Sequence, residues 1–171
     1  MAENRDDFIL ALYLGRYAGF RIHECFRMDT AAAEQALREN ALTVKGKGGK
    51  VRTVPIEDER IPMMLRKLLA QTERGHKLLV PDGMPTDRAI NALELFIYRY
   101  RNEICDEGSD RCLTFHGLRH TYAAEKYTRL TEDGMSAIDA HYAVSRLLGH
   151  ERADVTNIYL ASVRKRGRDG E

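Results

Sequence analysis

His116-Gly-Leu-Arg119-His120, then Leu148-Gly149-His150, then Asp154-Val-Thr-Asn-Ile-Tyr159-Leu: the stretch from His116 to Tyr159 supplies imidazoles, a guanidinium and a phenol in one order. An arginine fork fits two oxygens of a phosphate, and a phenol can attack phosphorus. Taken singly, each piece is ordinary. A lone His-x-x-Arg arises by chance. Leu-Gly-His is a common helix end, where a histidine suits the dipole. Tyr159 is one of eight tyrosines, and a tyrosine is more often half-buried packing.

Two stretches in the first half of the chain complete the set. Ala18-Gly19-Phe20-Arg21-Ile22-His23-Glu24 places an arginine on a sharp turn, in the frame small, Gly, apolar, Arg, apolar, variable, Glu. Val44-Lys45-Gly46-Lys47-Gly48-Gly49-Lys50-Val51-Arg52-Thr53-Val54-Pro55 reads as a hairpin with a glycine-rich, basic tip. Together these motifs resemble the catalytic domain of tyrosine recombinases, the phage integrase family, over nearly the whole chain, from about Phe8 to about Ala161.

The resemblance implies six catalytic residues in chain order: Arg21, Lys47, His116, Arg119, His150 and Tyr159. Arg21 and Arg119 would clamp the non-bridging oxygens of a DNA phosphate. Tyr159 would attack phosphorus and take the 3′ end, and Lys47 would protonate the departing 5′ oxygen. His116 is the base, and His150 would hydrogen-bond a phosphate oxygen. Glu24 would hold the arginine or histidine groups from behind, and Lys45, Lys50 and Arg52 would contact DNA. The expected partners are double-stranded recombination sites and, on DNA, three further copies of the chain in a homotetramer; without DNA a monomer is expected. No cofactor, metal or ATP is expected, because arginines stand where a metal-dependent nuclease uses cations and the phosphotyrosyl bond stores the energy for rejoining. Gly46-Lys47-Gly48-Gly49-Lys50 lies between strands rather than before a helix, unlike a nucleotide-binding loop. The alternative is a DNA-binding module or regulator of the same fold; an intact Tyr159 and Lys47 argue against it, since binding alone needs neither.

Bulk properties fit a single domain. At 171 residues, with 43% hydrophobic and 31% charged content, the chain can bury a core. The N-terminus has no apolar stretch of the signal-peptide kind. Cys25, Cys105 and Cys112 have no metal-site spacing and read as reduced thiols, which suggests the cytoplasm. Net charge is only +1, a mild argument against DNA binding, but Lys45, Lys47, Lys50 and Arg52 crowd one hairpin and Arg164, Lys165, Arg166 and Arg168 crowd the tail. A polarised surface with one basic face is therefore expected.

The expected fold is α+β and mainly α-helical, with a small antiparallel hairpin at about residues 42–56 beside a helical core. Asp6 or Asp7 is a cap for a first helix with Ile9, Leu12, Tyr13 and Tyr17, ended by Gly19. Thr30 is a plausible cap for a helix to Asn40, where family members usually have strand and turn. A helix from Arg60 places Ile61, Leu65, Leu68 and Leu69 on one stripe. Pro85-Thr86-Asp87 opens a long helix with Ile90, Leu93, Ile97, Tyr100 and Ile104. A polar loop, Asp106 to Asp110, leads to the His116 helix. Thr131 to Met135 reads as a lengthened connection, and a helix from about Met135 ends at Gly149. The last short helix starts near Asp154. The irregular 30–40 and 131–135 stretches suggest, by analogy, a phage or mobile-element integrase rather than a resolvase. Residues 1–171 read as the catalytic domain without the N-terminal DNA-binding domain of full-length members.

Overall fold

A computed structural model describes residues 5–46, 49–104 and 112–149. In chain order the elements are α1 Asp6–Ala18, α2 Ile22–Cys25, α3 Thr30–Glu39, β1 Ala41–Lys45, β2 Val51–Pro55, α4 Arg60–Leu69, α5 Thr86–Ile104, α6 Phe115–Glu132 and α7 Ala137–Leu148. The fold is thus mainly helical with one antiparallel two-stranded sheet, in which Leu42 faces Val54 and Val44 faces Arg52.

The core forms where α1 packs on α4 and α6 and where α3 covers β1. α1 carries apolar residues nearly all round, so its neighbours choose the buried face. They take Phe8, Leu10, Ala11, Leu14 and Ala18. The expected stripe of Ile9, Leu12, Tyr13 and Tyr17 is only partly covered. The caps also differ. Arg5 is the N-cap of α1, and Asp6 and Asp7 sit in its first turn, salt-bridged to Lys67 and Arg5, where carboxylates suit the dipole. The α3 segment is helical as its composition suggests, but Asp29 caps it, accepting from the Ala32 N–H at 2.8 Å. Thr30 instead accepts from the Gly75 N–H.

α4 buries Ile61, Met64, Leu65 and Leu68, the expected stripe with Met64 in place of Leu69. Each such residue contributes roughly 1.5–3 kcal/mol when fully covered. In α5 the core takes Ala89, Leu93 and Ile97, while Ile90 is half-buried. Leu78 and Leu79 are buried beside a single bridge between Asp29 and Lys77 rather than in a strand. Around residue 131 the expected long connection is helix: α6 runs to Glu132, Gly134 takes a left-handed turn, and Ser136 caps α7. α7 ends on Gly149 at φ 65°, a left-handed C-cap that glycine adopts without a Cβ penalty.

Candidate functional site

Two glycines, one short helix and one hairpin bring the site together. α1 stops at Gly19, whose φ is 64° and whose C-cap geometry sends the chain back over α6. A Cβ at Gly19 would meet the Tyr122 ring at 2.5 Å and Leu148 at 3.1 Å, so both the backbone angle and the close approach demand glycine. The reversed chain then starts α2 with Arg21 as N-cap. The Arg21 N–H donates to Glu24 Oε2 at 2.7 Å, so Glu24 caps its own helix.

On α6, Thr114 caps the first turn through the Gly117 N–H. That turn presents His116, and the next brings Arg119 inward. Arg119 is 1% exposed. One terminal nitrogen donates to the Gly19 carbonyl, and the other donates to the Leu148 carbonyl at 2.6 Å. Its fork therefore ties together the ends of α1 and α7. His116 stands edge-on to His120, with ring centroids 4.6 Å apart.

Arg21, His116 and Arg119 line one pocket of about 480 Å³, with Phe20, Ile22, Ile97, Tyr98 and Phe115 among its other walls. The three residues come from stretches almost a hundred positions apart, and the structure brings them together. Burial lowers the His116 pKa, and the charges of Arg119 and Arg21 lower it further, so the ring is neutral at neutral pH and able to accept a proton. Glu24 behaves in the opposite way. Burial raises its pKa, but hydrogen bonds from Arg52 and from the Arg21 backbone, with both arginine charges, more than offset this and leave it at about 2.

Glu24 sits behind Arg21, and Arg21 Nη1 donates to its Oε1 at 3.0 Å. Arg52 departs from its expected place. Instead of standing out with the cations expected to contact DNA, its side chain is 8% exposed and both terminal nitrogens donate to Glu24, at 2.8 and 2.7 Å. Strand alternation turns it inward at the position opposite Val44. Lys45 and Lys50 are exposed on either side of the hairpin tip. Lys47, His150 and Tyr159 lie outside the described residues, as do the Asp106–Asp110 loop, the segment from Asp154 and the basic tail.

The pocket residues without an expected functional role include His23, and Glu94, Tyr98 and Arg101 on α5. Burial lowers the His23 pKa, with Glu24 opposing and Arg27, Arg21 and Arg119 assisting. The α5 residues could have been found from spacing. Glu94, Ile97, Tyr98 and Arg101 fall at i, i+3, i+4 and i+7, one helical stripe. The Arg101 guanidinium stacks on the Tyr98 ring, 4.2 Å from its centroid. Among the described residues, no group of three or more His, Cys, Asp or Glu side chains gathers as a metal site, and no helix is long and apolar enough to cross a membrane.

Comparison with known proteins places the chain as a whole. The model of the phage integrase family matches residues 3–166. Tyrosine recombinase XerD of Lacticaseibacillus casei is 32% identical over 145 residues, which cover 82% of this chain and 45% of that protein. XerD of Pseudomonas putida is 29% identical over 130 residues, 72% of this chain and 39% of that protein. The chain thus spans less than half the length of these curated relatives. Among solved structures, XerH site-specific recombinase in a post-cleavage complex with palindromic difH superimposes at a TM-score of 0.63 with 18% identity, covering 93% of this chain and 43% of that one. XerA recombinase gives 0.63 and 18%, covering 99% and 64%. The integrase of mycobacterium phage Brujita gives 0.58 and 23%, covering 92% and 50%.

Proposed function

The chain belongs to the phage integrase family, and from that premise we propose that it cuts and rejoins double-stranded DNA at specific sites through a phosphotyrosyl intermediate. One observation carries the reading: Arg21, His116 and Arg119 share a single pocket. Two fixed cations beside a neutral imidazole suit an anion that must gain charge in its transition state.

The chemistry balances without a cofactor. The Tyr159 oxygen bonds to phosphorus as the bond from phosphorus to the 5′ oxygen breaks. The phenol proton passes to a ring nitrogen of His116, and Lys47 gives a proton to the departing 5′ oxygen. A tyrosine with an ordinary pKa of about 10 needs such a base near neutral pH. Arg21 binds the non-bridging oxygens with its fork, Arg119 adds a second charge, and His150 donates to a phosphate oxygen. Religation is the reverse attack by a 5′ hydroxyl, so one phosphoester replaces another and no ATP is needed. Lys45 and Lys50 meet neighbouring phosphates, where binding falls steeply with salt. The working assembly is a tetramer on two duplexes and a monomer without DNA, and the role is that of a phage or mobile-element integrase.

The test is a pool of nicked duplexes with randomised bases around the nick, which releases a short strand on cleavage and traps the covalent complex. A protein–DNA band with the wild-type chain, absent from Tyr159→Phe, supports the reading. No band with either, alongside measurable binding, points to a binding module. Sizing with and without the captured duplex checks the tetramer.

A further inference from the structure

Glu24 creates an electrostatic problem for the pocket. Its side chain has no solvent exposure, and it touches Arg21, the pocket arginine whose fork binds substrate in the reading above. A carboxylate and a phosphate compete for the same fork. An ionised Glu24 alone would cancel the Arg21 charge and hold its guanidinium away from an incoming oxygen.

Arg52 changes that balance. Its Nη1 and Nη2 donate to Oε1 and Oε2 of Glu24, a two-point pairing that occupies both carboxylate oxygens. The side-chain hold of Arg21 on Glu24 is one longer contact of 3.0 Å. Exposure separates the two arginines: the Arg52 side chain is 8% exposed and Arg21 is 30% exposed. Arg21 lines the pocket and Arg52 does not. Arg52 is also enclosed from other sides, with its guanidinium 5.7 Å from the Phe20 ring centroid and its Cδ 3.1 Å from where a Cβ on Gly149 would stand. It is built to remain on Glu24 when substrate arrives.

We propose that Arg52 is a positioning residue that acts as the resident counter-cation of Glu24, so that the charge and fork of Arg21 stay directed at the scissile phosphate. Glu24 then caps α2 and steadies Arg21 without neutralising it. The inference rests on the phosphoryl-transfer reading and reassigns Arg52 from DNA contact to this internal role.

Removing the charges one at a time tests it, with the rate of covalent complex formation on the nicked pool as readout. Arg52→Met is expected to lower that rate by about a hundredfold, the scale of losing one positioned donor, because Glu24 then captures Arg21. Adding Glu24→Gln removes the competing charge but keeps an oxygen to cap Arg21, so the double variant recovers most of the loss. Arg52→Lys, which keeps charge but not the fork, falls between. On a substrate with a methylphosphonate at the scissile position, which lacks one oxygen charge, the Arg52→Met defect shrinks. If the double variant folds and is as slow as Arg52→Met, Arg52 is only a brace, and the inference falls while the strand-cutting reading stands. If the wild-type chain forms no adduct, that reading falls and takes the inference with it. If Arg52→Met does not fold, Arg52→Lys with and without Glu24→Gln makes the same comparison.

Discussion

Two clusters of charged side chains flank α6, and they differ in balance. At its C-terminal half, Arg16, Lys126 and Arg129 meet Glu57, Asp58 and Glu125, three cations against three anions. They are joined by the Arg16–Glu125, Lys126–Glu57 and Arg129–Glu57 pairs. At its N-terminal half, among the described residues, Arg21, Arg101 and Arg119 face the pocket with Glu94 as the one acid on its wall, and Glu24 behind is bound by Arg52. In the first cluster cations and anions pair with one another, tying α6 to α1 and to the segment between β2 and α4, where Asp58 pairs with Arg60. The second retains an excess of positive charge in a partly desolvated cavity, an arrangement that favours an anionic ligand.

Arg119→Lys should break the second cluster most severely. A lysine cannot make both parallel donations to the Gly19 and Leu148 carbonyls. Adduct formation is expected to fall about a hundred- to a thousandfold, with a lowered melting temperature, since the ends of α1 and α7 lose their common tie. A normal rate would remove Arg119 from the site. The pH profile gives the next effect. His116 must be neutral to accept a proton, and its pKa is lowered, so the rate should fall on acidification with its limb below the ordinary 6.5. His116→Gln should lower the rate and flatten that limb; an unchanged limb would assign it to another group.

The grouping of Arg21, His116 and Arg119 was legible in sequence because each residue sits in a local frame: Arg21 after a glycine turn, His116 and Arg119 in one helical stretch. The hairpin was legible from its glycines and the strand pattern around them. Less legible were choices made by distant partners. α1 is apolar nearly all round, so its buried face depended on α4 and α6. Thr30 and Asp29 are both good caps, and the Gly75 N–H decided between them. The pairing of Arg52 with Glu24 spans 28 positions. Alternation shows which side of the strand Arg52 takes, but not that a carboxylate waits there.

Acid sensitivity sharpens the contrast. Glu24 has a depressed pKa in the fold, so its contribution to stability is complete above about 4.5 and is lost as pH falls toward about 2. The stability difference between wild type and Glu24→Gln should shrink over that window, as followed by denaturant melts at each pH. A constant difference would mean that the carboxylate does not retain its proton affinity so low. Gly149→Ala should cost about 1 kcal/mol or somewhat more, from the left-handed φ and the approach to Arg52, read by thermal unfolding; a neutral result would argue against that packing. The smallest effect belongs to the balanced cluster. Arg16→Ala breaks an exposed pair with Glu125 and should change stability by less than about 1 kcal/mol, with adduct formation unchanged. A large loss of cleavage would erase the distinction between the two clusters.

The most direct measurement is to isolate the trapped protein–DNA adduct, digest both components and locate the bound nucleotide by tandem mass spectrometry. The account predicts a single modified peptide, with a nucleotide joined through its 3′-phosphate to the Tyr159 oxygen. A nucleotide on any other side chain, or no covalent species across the whole substrate pool, would contradict it.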